Sequence, residues 1–186
     1  MLTEKSQKNI AYPEVKLREV LGAFWRGIKP QKWWMFLLVF SVILANVVAI
    51  IIPIFYKQFF DIITAGGNTE VIVKQLLMII IYIAFLNGLF WLFYRIATLS
   101  NNTYQPMAIA RLKQQSYDHL MLHSYSFFTN NFTGSLVQRV NRFARAFERL
   151  SDRLIWDLLP LFVKIVSIFI VVLFINKWIA LIILIW

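Results

Sequence analysis

Residues 71–122 decide the fold, and they read VIVKQLLMIIIYIAFLNGLFWLFYRIATLSNNTYQPMAIARLKQQSYDHLML. The first part, 71–95, is apolar and long enough to cross a ~30 Å hydrocarbon core at ~1.5 Å per residue. After Arg95 the apolar run stops, but helical spacing continues through Ile109, Leu112, Tyr117, Leu120 and Met121. The pattern predicts one helix that leaves the bilayer and continues to about residue 122, with a kink at Pro106 unless neighbouring groups restore the lost hydrogen bond.

Other apolar runs lie on both sides of this helix. A first span is predicted over about 33–56, and the Gly-Gly-Asn sequence within 65–69 predicts a turn after it. Residues 123–135 are turn-rich, and Thr133 or Ser135 can cap a new helix. That helix is predicted from about 136 to 175 and includes a third span. A short hinge at 176–177 then leads into a fourth, incomplete span at 178–186.

The N-terminal segment has a different character. Residues 1–12 are polar and are expected to form a disordered cytoplasmic tail. Residues 13–30, beginning with Pro13, are predicted to form an amphipathic elbow helix on the membrane surface. Its apolar side carries Val20, Leu21, Phe24, Trp25 and Ile28. The alternative is a soluble helix that caps the rest of the protein.

Composition and charge support a membrane protein and set its orientation. Of the 186 residues, 60% are apolar and 15% are charged, against roughly 45–50% and about 25% in soluble domains. The absence of cysteine excludes disulfides and thiolate metal sites. The net charge is +10, and the basic residues flank the spans. This position indicates that they set the membrane topology and contact anionic lipid, rather than bind nucleic acid.

The loops differ in their number of basic residues. Seven Lys or Arg precede the first span and seven lie between 111 and 153, whereas Lys57, Lys74 and Lys177 are the ones in the remaining connections. Because basic loops stay inside, we expect a multi-pass protein of the cell membrane with its N-terminus in the cytoplasm. The predicted fold class is an all-α polytopic transmembrane bundle whose long helices extend into the cytoplasm.

Four passages together suggest a family. They are Ile52-Pro53-Ile54 followed by Asp61, the segment 112–120 (LKQQSYDHL), the segment 127–140 (FFTNNFTGSLVQRV), and Asn176-Lys177-Trp178. In order and spacing these passages resemble the transmembrane domain of ABC exporters, a family of ATP-driven lipid flippases and multidrug exporters. The likeness covers nearly the whole chain. Two positions depart from it, since the family usually has Asp at Thr129 and often at Phe143.

The resemblance implies a six-span half-transporter that exports a lipid, drug or peptide by alternating access. A nucleotide-binding domain, on the same or another chain, would hold ATP and Mg, and a second half-transporter would complete a homo- or heterodimer. The sequence has no Gly-x-x-x-x-Gly-Lys-Ser/Thr motif, so this chain alone is not expected to hydrolyse ATP. Because it stops at Trp186 within an apolar run, we expect an N-terminal piece of a longer protein.

Two alternatives come from other functional classes. A non-transporting scaffold or sensor with a cytoplasmic helical hairpin would end after an even number of spans. A carrier driven by an ion gradient would bury acids in its spans, and Asp157 alone approaches such a position.

By resemblance, 113–122 would be the first coupling helix, which docks on the nucleotide-binding domain. We expect Tyr117 and His119 at a loop tip, with Gln114 and Asp118 beside them. The alternative is a hairpin of solvated polar residues. His119 and His123 have a spacing that can hold a metal, but with Asp118 as the one acid nearby no metal site is predicted.

Within the spans, Lys164 is predicted near the bilayer middle, where a charge must face water or a partner. It would contact an anionic substrate or headgroup, or else pair with an acid elsewhere in the protein. Asn46 and Asn87 could line the same substrate cavity, although hydrogen bonds between helices are the favoured interpretation. Arg95 is expected to anchor its helix by snorkelling.

A basic stripe is predicted on the helix before the third span. It consists of Arg139, Arg142, Arg145, Arg149 and Arg153. Anionic lipid headgroups and the nucleotide-binding domain are the expected partners of this stripe, and nucleic acid is not expected.

Overall fold

The structure is a computed structural model that describes residues 16–175, and these residues form helices joined by short turns. The elements are α1 (Leu17–Ile28), a 3-10 turn (Lys29–Gln31), α2 (Lys32–Ala65), α3 (Thr69–Met121), α4 (Tyr125–Asn130), α5 (Thr133–Asp152), a π-helical segment (Arg153–Leu158) and α6 (Leu159–Ile175). The predictions for the tail at 1–12, for Pro13, for the hinge at 176–177 and for the span at 178–186 fall outside the described residues.

Three helical runs within 16–175 are long and apolar enough to cross a membrane, namely Leu17–Ala65, Thr69–Met121 and Thr133–Leu173. The prediction of an all-α transmembrane bundle is confirmed. Much of the apolar surface of these runs is exposed within the chain, including Ile81, Phe85 and Trp91. Such surface suits contact with lipid tails or with other membrane helices.

The helix α2 continues beyond the predicted end of the first span near Tyr56, and runs through Pro53 to Ala65. A proline removes one backbone hydrogen bond, and the long apolar helix tolerates that loss. The turn that follows is where the glycines predicted it. Gly66 and Gly67 have φ values of 66° and 142°, and Asn68 caps α3 by accepting from the backbone N–H of Glu70 at 3.1 Å.

The helix α3 has 53 residues, which corresponds to about 80 Å at ~1.5 Å per residue. It runs without interruption through Pro106, well past the apolar part that ends near Arg95. Beyond the apolar part, one face of α3 is buried, with Ala97, Ser100, Tyr104, Ala108 and Leu112 at intervals of three or four residues. Packing on this face holds the helix together where its sequence is polar.

The connection between α3 and α5 contains a helix that the sequence reading missed. Residues 125–130 form α4 inside the stretch that we predicted to be turns. The helix α5 begins at Thr133, and its N-cap is Phe132 without a side-chain cap. The predicted caps at Thr133 and Ser135 are therefore wrong, because both residues already belong to the first turn of α5.

Between α5 and α6 the helix widens into π geometry without breaking. The backbone N–H of Leu159 donates to the carbonyl of Leu154, five residues earlier. Pro160 follows directly, and a proline ring clashes with the carbonyl four residues before it. A wide turn ahead of Pro160 relieves this clash, which accounts for the π segment.

The helix α1 is docked on the others by one side of its apolar surface. The ring of Phe24 lies 5.1 Å from that of Phe143 and 5.2 Å from that of Phe147. Gly27 faces Leu112, and a Cβ at position 27 would lie 2.8 Å from Leu112 Cδ2. Leu21 and Trp25 remain exposed. The helix α1 thus packs on α3 and α5 and also presents apolar side chains outward.

Candidate functional site

The long helices α3 and α5 form a hairpin, and residues 113–132 at its end are called the hairpin tip. The tip consists of the last turns of α3, the loop 122–124, the short helix α4 and the two residues before α5. Several of its apolar side chains are exposed, and Tyr125 is 84% exposed. Exposed aromatic residues on short, helix-supported segments are typical anchors for a protein partner.

The residues predicted to contact the nucleotide-binding domain lie in the last turns of α3, on one side of the hairpin tip. Gln114 donates to the carboxylate of Asp118 at 2.7 Å, one helical turn away. Tyr117, Asp118 and His119 are exposed. We expected Tyr117 and His119 at a loop tip, but the structure places them within α3, because the helix continues to Met121. The turn itself is formed by 122–124 and α4.

Two histidines connect α3 to α4. The rings of His119 and His123 are 5.3 Å apart, and the ring of His123 is 4.3 Å from that of Phe127 in α4. Nδ1 of His123 also lies 3.1 Å from the carbonyl oxygen of His119. Within residues 16–175, no group of three or more His, Cys, Asp or Glu could hold a metal ion. The histidines therefore pack as part of the turn.

Behind the tip lies an open cavity of about 800 Å³ between α1, α3 and α5. Its walls include the charged side chains Arg26, Asp118 and Arg139, together with His119 and His123. The cavity brings the elbow helix next to the predicted coupling residues.

A set of polar side chains joins the two arms of the hairpin near its base. Asn101 donates to Gln105 at 3.0 Å, and Gln105 donates to the carboxylate of Asp152 at 2.9 Å. Tyr104 is 1% exposed, and its hydroxyl is hydrogen-bonded to the side chain of Ser151. These bonds connect α3 to the end of α5, directly before the π segment, so the arms are held as one body.

The basic stripe lies on the face of α5 opposite its packed face. Arg139, Arg142, Arg145, Arg149 and Arg153 are all exposed, whereas Leu136, Val140, Ala144, Phe147 and Ser151 are buried. The stripe presents cationic groups along the whole hairpin arm. Anionic groups on a membrane surface or on a protein partner are complementary to it.

In the apolar part, three residues were predicted for a substrate cavity, namely Asn46, Asn87 and Lys164. Asn46 is buried and donates to the carbonyl of Val42 at 2.8 Å, and Asn87 is exposed and donates to that of Ile83 at 2.8 Å. Both amide groups thus donate within their own helices, whereas we had favoured bonds between helices. Lys164 lines a groove of about 850 Å³ between α2 and α6, and Lys57 lines the same groove.

The comparison with known protein families decides the assignment. The family model for the ABC transporter transmembrane region matches residues 35–186. The chain belongs to this family. No curated protein and no solved structure matches the chain significantly.

As an ABC transporter transmembrane region, the chain has features that sequence reasoning missed. The helix α4 lies in a polar stretch whose Asn and Ser residues suggested turns, and its aromatic residues were the available signal of a packed helix. Lys57 was read as part of an outer connection, because the first span was predicted to end near Tyr56. Its position four residues after Pro53, on the same helical face, was the signal that it continues the helix α2.

Proposed function

We propose that this chain is part of the membrane domain of an ATP-driven exporter, which moves its substrate across the cell membrane by alternating access. The observation that carries the proposal is the hairpin, in which α3 runs unbroken from its apolar part to the tip and returns through α5 into α6. Membership of the ABC transporter transmembrane region supports a transporter membrane domain. The proposal places the N-terminus and the hairpin tip in the cytoplasm, where basic residues are retained.

The hairpin is suited to transmit a displacement along its length. Its arms are joined by the Gln105–Asp152 bond, and Tyr104 and Leu112 are buried between the packed helices. A rigid packed element moves as a unit, so a displacement at the tip reaches α6 and the apolar part of α3. Switching between two arrangements of these helices would open the substrate path to alternate sides of the membrane.

The tip is the proposed docking surface for the nucleotide-binding domain. Tyr117, Asp118 and His119 would form one side of this surface and α4 the other, while Gln114 holds Asp118 in place. ATP and Mg, bound by the nucleotide-binding domain, would supply the free energy of phosphoanhydride hydrolysis. That domain would belong to the same or another chain, and a second half-transporter would complete the substrate path.

The lack of cysteine in these 186 residues allows a direct test. A single cysteine is introduced at Tyr117 or Tyr125, with Ala65→Cys at the exposed end of α2, beside the opposite turn, as the matched control. Each variant of the complete protein is labelled with a maleimide-linked benzophenone and irradiated, and the crosslinked peptides are identified by mass spectrometry. We expect crosslinks to a nucleotide-binding domain from both tip positions and none from position 65.

The same variants test orientation. A membrane-impermeant maleimide should label Ala65→Cys in intact cells, and should label Tyr125→Cys only in inside-out membrane vesicles. Labelling of both positions from one side, or crosslinks from position 65 to the nucleotide-binding domain, would contradict the proposal. The scaffold hypothesis would then gain support.

A further inference from the structure

The buried side of the arm that consists of α5 and α6 changes its spacing at the π segment. From α5 into the π segment, the buried residues recur at intervals of three or four, namely at Leu136, Val140, Ala144, Phe147, Ser151 and Ile155. The next buried residue is Pro160, five positions later, and Val163 follows after an interval of three. The interval of five coincides with the π segment Arg153–Leu158. The π turn therefore takes up one extra residue, so that α5 and α6 bury the same side of the arm.

One step of register decides what α6 presents to the groove beside α2. In the observed register, α6 lines this groove with Lys164, Ile168, Val171 and Val172. If the π turn closed to α geometry, α6 would rotate by about 100°, which is one residue of a helix with ~3.6 residues per turn. Each place on α6 would then pass to the preceding residue. Val163 would replace Lys164 in the groove, and Ser167 would replace Ile168.

The apolar pattern of α6 is compatible with both registers. After the shift, Leu159 would lie in the buried place of Pro160, and Phe162 in that of Val163. All four side chains are apolar, so the shift buries no unsatisfied polar group at these places. Phe162 is larger than Val163, so its neighbours would have to adjust. The two registers are discrete, because a partial rotation would leave backbone hydrogen bonds unmade.

Pro160 opposes the α register. In α geometry its ring would clash with the carbonyl of Trp156, four residues earlier. In the observed π turn, the backbone N–H of Leu159 donates to the carbonyl of Leu154, five residues earlier. The proline therefore favours the register in which Lys164 lines the groove.

The residues before Pro160 are held against α3, so a change of register must rotate α6. Asp152 at the end of α5 accepts from Gln105 of α3 at 2.9 Å. Within the π segment, the ring of Trp156 stacks on that of Tyr94 of α3, with centroids 6.1 Å apart. These two contacts fix the cytoplasmic side of the π turn.

We infer that Pro160 is a positioning residue that fixes the register of α6, and that closure of the π turn to α geometry withdraws Lys164 from the groove. The register of α6 thus sets the charge that the groove presents between α2 and α6. An apolar groove with a buried-facing cation attracts anionic groups, and an aliphatic residue in the same place does not. This device goes beyond the proposed export, because it lies within one helix and needs no nucleotide or second half-transporter.

Pairs of introduced cysteines can measure the register, because these 186 residues contain no cysteine. Ile54→Cys, in the groove on α2, is combined with Ile168→Cys or with Ser167→Cys in the complete protein. The pairs are treated with a short bismaleimide in membranes, and the linked peptides are quantified by mass spectrometry. In the wild-type background, the pair with position 168 should give the higher yield. Both pairs share the α2 position, so its level in the membrane affects both yields alike.

A second comparison measures the position of the lysine itself. Ile50→Cys is combined with Lys164→Cys or with Val163→Cys, and position 164 should give the higher yield. In a Pro160→Ala background, the preference should reverse in both comparisons, toward 167 and toward 163. Because the proline clash is removed, each yield ratio should change by at least about tenfold.

A control and a rescue separate register from general damage. The control is Pro106→Ala, because Pro106 lies inside α3, where the helix keeps α geometry through the proline. Its yield ratios should stay as in the wild type. The rescue combines Pro160→Ala with deletion of Leu158, which shortens the interval of five to four. Alpha geometry then returns positions 164 and 168 to the groove, so the wild-type preference should return.

Three results would overturn the inference. They are equal yields of the paired positions in the wild-type background, a wild-type preference in Pro160→Ala, and a rescue variant that still prefers 167 and 163. If Pro160→Ala does not fold, Pro160→Val replaces it, because valine keeps more of the volume of the buried ring. A wild-type preference in Pro160→Val overturns the inference equally.

Discussion

The side-chain amide of Gln105 donates a 2.9 Å hydrogen bond to the carboxylate of Asp152, and so joins the middle of α3 to the last residue of α5. The bond spans 47 residues of sequence and is partly buried. It lies directly before the π segment that begins at Arg153. The polar contact therefore fixes the two hairpin arms at the level where the chain changes from polar to apolar sequence.

Replacing Gln105 by Leu should lower the free energy of unfolding by about 1–3 kcal/mol, because a partly buried carboxylate loses its donor. The measurement is thermal unfolding in detergent, followed by circular dichroism. The matched control is Gln114→Leu, which removes a 2.7 Å bond to Asp118 on the exposed surface of a single helix. A loss below about 0.5 kcal/mol is expected for the control. Equal losses in the two variants would show that the Gln105 bond does not join the arms.

Two glycines of α1 should respond to alanine in opposite directions. In Gly27→Ala the new Cβ would lie 2.8 Å from Cδ2 and 2.9 Å from Cγ of Leu112, a fully buried residue. The overlap should cost about 1–3 kcal/mol. Gly22 has nothing within 4 Å, so Gly22→Ala should stabilise the helix by about 0.5–1 kcal/mol. Unfolding midpoints of both variants in one detergent check the signs, and a gain in Gly27→Ala would contradict the docking of α1.

The turn between α2 and α3 gives a third prediction. Asn68→Ala removes the side-chain oxygen that accepts from the N–H of Glu70 at 3.1 Å, and should cost about 1 kcal/mol. The control is Asn102→Ala on the exposed surface of α3, where alanine is the better helix former and should be neutral or stabilising. The same unfolding experiment compares the two. If Asn102→Ala costs as much as Asn68→Ala, capping does not explain the effect.

Much of the fold was predictable because local chemistry and long-range packing agree. Gly66 and Gly67 adopt positive φ values in the predicted turn, and the spacing of Leu112, Leu120 and Met121 continued the helix beyond the apolar run. The basic stripe of α5 is exposed because its spacing opposes that of the buried face. In each case a single local rule, either turn formation at glycine or helical spacing, was sufficient to predict the structure.

The differences arise where packing overrides a local signal. The first span was predicted to end near Tyr56, but α2 continues to Ala65, and Lys57 lines the same groove as Lys164. Pro160 is the sequence signal of the π segment, and a proline alone does not determine whether a helix breaks or adopts π geometry. Asp152, which accepts from Gln105, and Ser151, which bonds to Tyr104, lie on another helix, so no spacing along the chain could reveal these two contacts.

The hairpin tip gives the prediction closest to function, and it rests on the proposed docking of a nucleotide-binding domain. Tyr125, on α4, is 84% exposed, and an aromatic anchor removed from a protein interface commonly costs more than about 1–2 kcal/mol. In a Tyr117→Cys background, Tyr125→Ala should lower benzophenone crosslinking to that domain about tenfold. The matched control is Tyr56→Ala, because Tyr56 is exposed and lies in the half of α2 that is remote from the hairpin tip. This variant should leave the crosslinking yield unchanged. If crosslinking from Tyr117→Cys is unchanged when Tyr125 is replaced by Ala, α4 is not an anchor, and the docking surface lies on α3 alone.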